Sequence, residues 1–123
     1  MTAKKKILVV DDEEDLRTVV TDQLQEQGYD VSSAADGGIA MEMLRSEYFD
    51  LVLLDLKMPN IDGYEVLHYV KQKHPLTKVI ILTGFADLKN ALDAMGSGAD
   101  HFVGKPYALS DLLFAIKSVI VDA

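Results

Sequence analysis

The sequence predicts an α/β domain, a three-layer doubly wound (βα)5 sandwich with a five-stranded parallel sheet. Three observations lead to it. Short apolar runs alternate with amphipathic stretches five times along the chain. The runs Ile7–Val10, Leu51–Leu54 and Val79–Leu82 are apolar at every position, as strands covered on both faces must be. The stretches between successive runs carry apolar residues at helical spacing, and right-handed crossovers of that kind place helices on both sides of a sheet.

Strands are expected at about 6–10, 31–35, 50–54, 78–82 and 101–104. The first, rich in β-branched residues, ends at Asp11. Residues 13–27 follow as a helix with Leu16, Val19, Val20 and Leu24 on one face, and Gly28 serves as its C-terminal cap. Val31–Ala35 is a weaker strand, and Ile39, Ala40, Met43 and Leu44 mark the second helix. After the second strong run, Lys57 to Gly63 is loop chemistry. A third helix is expected to begin near Asp62, where Asp62 and Glu65 resemble a capping box, with Val66, Leu67 and Val70 facing inward and Pro75 beyond its end. Thr83-Gly84 closes the third strong run. A fourth helix, about Asp87 to Met95, is weakly signalled and is ended by Gly96 and Gly98. His101-Phe102-Val103 forms a short last strand, and Leu112, Leu113, Ile116, Val119 and Ile120 give the last helix its inner face.

A chain of 123 residues fits one domain, residues 1–123. It has no cysteine, which excludes disulfides and thiolate metal sites. Its net charge of −8 disfavours direct contact with nucleic acid or an anionic membrane and suits a partner with a basic or apolar patch. Lys4-Lys5-Lys6 precedes only four apolar residues, whereas a secretory signal needs roughly 7–15. No stretch approaches the ~20 apolar residues of a membrane span. The expectation is a cytoplasmic protein.

In the strand order 2-1-3-4-5 the ligand site lies at the carboxyl ends of the strands, near the reversal of order. Asp11-Asp12, Asp55, Thr83 and Lys105 all fall on that edge. Asp11, Asp12 and Asp55 then form one carboxylate cluster, whose mutual repulsion a hard divalent cation such as Mg²⁺ or Mn²⁺ relieves. Asp55, alone at the end of a central strand, is the best nucleophile, since carboxylates form acyl phosphates. Thr83 can donate to a phosphoryl oxygen, and Lys105 supplies a point charge. Taken singly, Thr83 reads as a turn residue and Phe102 as core.

The segments Ile7-Leu8-Val9-Val10-Asp11-Asp12-Glu13, Leu53-Leu54-Asp55-Leu56-Lys57-Met58-Pro59, Asp62-Gly63, Leu82-Thr83-Gly84, and Gly98-Ala99-Asp100 through Lys105-Pro106 occur in order along nearly the whole chain. Together they strongly resemble the response-regulator receiver domains of two-component systems. The resemblance implies a flavodoxin-like fold, with Asp55 as phosphoacceptor and Mg²⁺ held by Asp11, Asp12, Asp55 and the backbone carbonyl of Lys57. It favours Asp12 as the direct carboxylate ligand, with Asp11 acting partly through water. It implies Thr83 and Phe102 as a switching pair, Lys105 as the phosphate-binding cation, and a cis Lys105-Pro106 bond. It also implies a sensor histidine kinase or phosphotransfer protein docking near the first helix. The output is an effector domain or partner protein read through the fourth helix, fifth strand and last helix, a face that also suits a homodimer of the phosphorylated form.

Two positions depart from a rapidly hydrolysing receiver. Lys57, two after Asp55, and Phe85, two after Thr83, offer no group to orient an attacking water, so slow self-dephosphorylation is expected. Phe102 stands where tyrosine is frequent in the family. His68, His74 and His101 show no metal-ligand spacing and read as surface or interface residues. Phe114 and Val121 fall off the inner face of the last helix, as exposed apolars or part of a docking surface. Other classes fit less well. An FMN binder needs a hydroxyl- and glycine-rich phosphate loop where this chain has Asp11-Asp12-Glu13-Glu14. An aspartyl-phosphate hydrolase needs a second acid where this chain has Lys57. An unphosphorylated interaction module would not need the full acid, threonine and lysine set.

Overall fold

A computed structural model of the chain describes residues 4–56, 63–84 and 88–120. Within them, strands β1 (Lys6–Val10), β2 (Asp30–Ala34), β3 (Leu51–Asp55), β4 (Lys78–Gly84) and β5 (His101–Lys105) alternate with helices α1 (Glu14–Glu26), α2 (Gly37–Ser46), α3 (Gly63–Lys73), α4 (Leu88–Gly96) and α5 (Leu109–Val119). The sheet order is β2-β1-β3-β4-β5, and every pairing is parallel.

Alternation of side chains along each strand divides the core into two layers. Leu8, Val10, Val52, Leu54, Val79 and Ile81 face one way and pack with Ala40 and Leu44 of α2, Val66, Leu67 and Val70 of α3, and Ala91 and Ala94 of α4. Ile7, Val9, Leu51, Leu53, Ile80 and Leu82 face the other way, against Val20 and Leu24 of α1 and Leu112, Ala115 and Ile116 of α5. The result is the three-layer α/β/α arrangement expected, with all five strand carboxyl ends on one edge. No helix of the described residues is long and apolar enough to cross a membrane.

Local sequence sets the helix ends. Gly28, at φ +96°, follows α1 in the left-handed region that ends helices cheaply only for glycine. Asp36 caps α2, its Oδ1 accepting from the Ile39 N–H at 2.9 Å. The Asp62 half of the expected capping box on α3 lies outside the described residues.

Several expected boundaries shift by one or two residues. β2 starts at Asp30 and stops at Ala34, because Val10↔Ala34 is the last pair of the β1–β2 ladder. β3 runs Leu51–Asp55, since Asp55 itself pairs with Leu82. β4 continues to Gly84 and β5 to Lys105, because Thr83↔Gly104 and Gly84↔Lys105 extend their ladder. Two expected inward residues face outward: Val19 is 51% and Ile39 43% exposed. In each helix the stripe is narrower than the apolar pattern. Val20 and Leu24 of α1, and Ala40 and Leu44 of α2, take the buried positions four apart. Phe114 is exposed, as the last-helix pattern requires, and Val121 lies outside the described residues.

Ile81, on the inner strand β4, has no exposed surface, whereas Leu76 in the turn before β4 is 78% exposed. Ile81→Ala is expected to lower the unfolding free energy by about 2–5 kcal/mol. Leu76→Ala should stay within about 0.5 kcal/mol of the parent. Urea titrations of both variants, followed by far-ultraviolet circular dichroism, check this contrast.

Candidate functional site

The strand register brings together residues far apart in sequence. Val10 pairs with Leu54, so Asp11 and Asp55 leave neighbouring strands side by side. Asp55 pairs with Leu82, which sets Thr83 one residue beyond it on β4. Gly84 pairs with Lys105, and the lysine side chain reaches back across the strand ends.

Asp11 is almost wholly buried, and each of its polar groups has a defined partner. Its Oδ1 accepts from the Glu13 N–H at 2.9 Å, and its Oδ2 accepts from Lys105 Nζ at 3.0 Å. Its backbone carbonyl accepts from the Arg17 guanidinium at 2.8 Å, and its N–H donates to the Ala34 carbonyl at 3.2 Å. Asp55 is buried at the end of β3, with Oδ2 3.2 Å from Lys105 Nζ. The same ammonium lies 3.6 Å from Glu13 Oε1. Burial works against the charge on Lys105. Its hydrogen bonds to Asp11 and Asp55 and the charges of both carboxylates outweigh that, and they hold its pKa well above the usual lysine range.

Carboxylate oxygens of Asp11, Asp12 and Asp55 all lie within 4.8 Å of one another, with Asp12 exposed and the other two buried. An all-oxygen set of this spacing, open on its Asp12 side, suits a hard divalent cation that keeps part of its water shell. Lys57, expected to add its backbone carbonyl, and Phe85 lie outside the described residues.

Thr83 is buried, and its hydroxyl donates to the Gly84 carbonyl at 3.3 Å. Its partner across the ladder is Gly104, so no side chain stands opposite it on β5. Phe102 pairs with Ile81 and packs, half-buried, against the α2–α3–α4 side of the core. Thr83 and Phe102 are therefore diagonal neighbours on one sheet face. The Lys105–Pro106 peptide bond is cis.

The histidines are not gathered at this site. His68 is exposed on α3. His74 Nε2 is 2.8 Å from the Leu44 carbonyl, and its ring lies 6.3 Å from that of Tyr48 and 6.0 Å from that of Tyr69. His101 stacks edge-on against Phe102.

Sequence reasoning passed over two neighbours of the lysine bridge. Arg17 lies on the first turn after the acidic pair, where only its reach to the Asp11 carbonyl marks it. Tyr107 follows Lys105 by two residues. Burial pushes its phenol up from 10.0 to about 12; the charge of Lys105 opposes this and those of Asp11, Asp55 and Glu13 add to it.

A doubly wound sheet whose acidic pair, strand-end aspartate, threonine and lysine meet at the switch point of the strand order defines a CheY-like domain. The chain belongs to the response regulator receiver domain family, which matches residues 7–117. It is 38% identical over 117 residues to a probable transcriptional regulator ycf27 of Porphyridium aerugineum, covering 95% of this chain and 48% of that one. It is 35% identical over 115 residues to the response regulator ArlR of Staphylococcus saprophyticus, covering 94% of this chain and 52% of that one. The chain thus spans about half the length of these curated relatives. Among solved structures, a receiver domain from Clostridium thermocellum is similar at TM-score 0.89 and 36% identity, covering 94% of each chain. The chemotaxis response regulator CheY4 of Vibrio cholerae is similar at TM-score 0.89 and 29% identity, covering 96% of this chain and 100% of that one.

Tyr107 gives a pH signature. As an acid whose folded pKa is raised, it contributes nothing to the pH dependence of stability below about 10. It lowers stability as pH rises from there towards 12, where the unfolded chain has already lost the proton. In a phenolate absorbance titration, Tyr107→Phe is expected to remove a step centred near 12 and leave the lower part of the curve in place.

Proposed function

We propose that this domain is a phosphoacceptor: Asp55 takes a phosphoryl group from a phosphohistidine on a sensor kinase or phosphotransfer protein. The observation that carries this reading is the Lys105 ammonium, shared between Asp11 and Asp55 at 3.0 and 3.2 Å at the switch point of the sheet. An Asp55 oxygen attacks phosphorus in line, and the phosphorus–nitrogen bond breaks. Lys105 offsets charge on the transferring oxygens. Asp11, Asp12, Asp55 and the Lys57 carbonyl are the groups that would hold Mg²⁺, or Mn²⁺ in its place. When bound, the cation neutralises charge on the phosphoryl oxygens.

The Thr83 hydroxyl then donates to a phosphoryl oxygen, and Phe102 moves into the space it leaves. Gly104, opposite Thr83, offers that movement no side-chain obstacle. Without a hydroxyl, Phe102 responds through packing alone. The surface of α4, β5 and α5 changes with it, and that surface controls an output domain or partner, or pairs two phosphorylated copies. This is a local charge event biasing a two-state element. The domain transfers a phosphoryl group only to itself and loses it by hydrolysis, and so is not a turnover enzyme. A net charge of −8 makes nucleic acid an unsuitable direct ligand, and a sensor kinase partner places the domain in the cytoplasm.

With acetyl phosphate and Mg²⁺ the chain should gain the mass of one phosphoryl group, and Asp55→Asn should gain none. A mass gain that persists in Asp55→Asn moves the acceptor elsewhere.

The lifetime of that group depends on positions Lys57 and Phe85. Neither residue type carries a carboxylate or amide that would orient a water, and a bulky phenyl group two positions after Thr83 would shield the phosphoryl group. Phe85→Ala is expected to shorten the half-life of the phosphorylated protein severalfold, followed by mass spectrometry after donor removal. Rapid decay of the parent, unaltered in Phe85→Ala, contradicts the shielding role.

A further inference from the structure

On the edge opposite the acidic site, the carboxyl ends of α2 and α3 meet in an aromatic cluster. His74 Nε2, 2.8 Å from the Leu44 carbonyl, ties the end of α3 to the end of α2. The His74 ring lies 6.3 Å from that of Tyr48 and 6.0 Å from that of Tyr69, and the Arg45 guanidinium sits 6.0 Å from the Tyr69 ring centre. The Thr77 N–H donates to the His74 carbonyl at 2.9 Å and closes a turn that carries Leu76 outward. Tyr48 is 45% and Leu76 78% exposed, so neither apolar surface is used by the fold in full. Two lysines of this edge are already paired, Lys6 with Glu47 and Lys71 with Asp100. Arg45 and Lys73 are exposed in the last turns of α2 and α3, and among the described residues neither has a carboxylate partner.

We propose that this patch docks an extended acidic segment of a second protein, one that carries a large apolar side chain between carboxylates. The apolar side chain covers Leu76 and Tyr48, and the carboxylates pair with Arg45 and Lys73. Tyrosine and arginine are among the residue types that most often anchor interfaces. An arginine laid against an aromatic ring is held in place before a carboxylate arrives, so less side-chain entropy is lost on pairing. Contiguity separates this patch from a lone exposed apolar residue, which needs no partner. Charge selects the occupant. The chain carries −8 overall, and exposed Glu42 and Glu47 flank Arg45 in sequence. A nucleic acid or an anionic membrane spreads its charge over a wide surface and would meet those carboxylates as well. A short segment with a few carboxylates answers Arg45 and Lys73 alone. The patch lies at the helix carboxyl ends, away from the strand carboxyl ends, so occupying it leaves Asp55 open.

The test titrates a short peptide, a central phenylalanine between pairs of glutamates, into the isotope-labelled full chain and follows amide chemical shifts. Saturable shifts are expected around Arg45, Tyr48, His74 and Leu76, with a dissociation constant of about 0.1–1 mM. Leu76→Ala and Arg45→Glu are each expected to weaken binding about 3- to 10-fold, while Tm and labelling by acetyl phosphate stay as in the parent. The same peptide with glutamine in place of glutamate is expected to lose most of its affinity. Absence of a saturable shift up to about 1 mM, shifts centred on another surface, or equal binding of the glutamine peptide overturns the proposal. Stronger binding of a single-stranded oligonucleotide or of phosphatidylglycerol vesicles at the same residues overturns it in favour of a polyanion site. Shifts there that grow with protein concentration without peptide, and vanish in Leu76→Ala, overturn it in favour of a contact between copies.

Discussion

Three carboxylates held within 4.8 Å of one another are the constraint around which the rest of this domain is arranged. Two of them, Asp11 and Asp55, are buried, and like charges in that position raise the free energy of the fold unless a cation answers them. The chain brings its own cation from the far end of the sequence: Lys105 Nζ bonds both. That bridge needs β1, β3 and β5 to end on one edge, and the parallel order β2-β1-β3-β4-β5 provides it. It also needs α3 to begin hard against the end of β3. A Cβ on Gly63 would stand 2.7 Å from both the Asp55 carbonyl oxygen and the Leu56 Cα, so only glycine lets α3 begin there. The Gly63 N–H meanwhile donates to the Leu56 carbonyl at 3.3 Å, tying the start of α3 to the end of β3 beside the acceptor.

Opposite this charged edge, the amino ends of the strands are tied by neutral and paired groups. The Thr77 hydroxyl donates to the Phe49 carbonyl at 2.6 Å in a fully buried position. Asp100 accepts from the Val79 N–H and from Lys71 Nζ, both at 2.9 Å, which fastens the end of α4 to α3 and β4. Gly98 allows this, since at φ +110° it lets the chain turn under the Lys71 stem. The two edges thus divide the work. One is satisfied internally and fixes the frame, while the other gathers charge and leaves Asp12 exposed.

Most of the fold was legible because its signal is local. Continuous apolar runs such as Leu51–Leu54 can be buried only on both faces, and three of them, with two weaker strands and helical stretches between, leave few topologies. The site was legible for a related reason: once the strands are parallel, Asp11, Asp55, Thr83 and Lys105 must share an edge. What the sequence hid depends on three-dimensional packing. Val19 and Ile39 satisfy helical spacing yet lie outside the stripe that meets the sheet, where Val20 and Leu24 of α1 and Gly37, Ala40 and Leu44 of α2 already fill the contact. The fourth helix was faint because its buried residues, Ala91 and Ala94, are small and carry little hydrophobic signal. Tyr107 was invisible as a site residue, since an aromatic two after a strand end reads as core. Its burial beside the charges of Lys105, Asp11 and Asp55 shows only in three dimensions.

Under the phosphoacceptor reading, the same lysine bridge limits how the domain can switch. A ligand moves a two-state equilibrium only by as much as it binds one state better than the other. A phosphoryl group on Asp55 changes the partners of Lys105, which divides its charge among Asp11, Asp55 and Glu13, and it presents new acceptors to Thr83. The Lys105 exchange stays at the rim, where Glu13 is exposed and compensates readily. The Thr83 exchange reaches the sheet face that Thr83 shares with Ile81 and Phe102, next to the buried alanines of α4. α4 meets that face through Ala91, Ala94 and Met95, and the Tyr64 hydroxyl donates to its Asn90 carbonyl at 2.7 Å. Under that reading a change at Thr83 would reach α4 first, because α1 and α5 pack on the other sheet face through Leu24, Leu112 and Ile116.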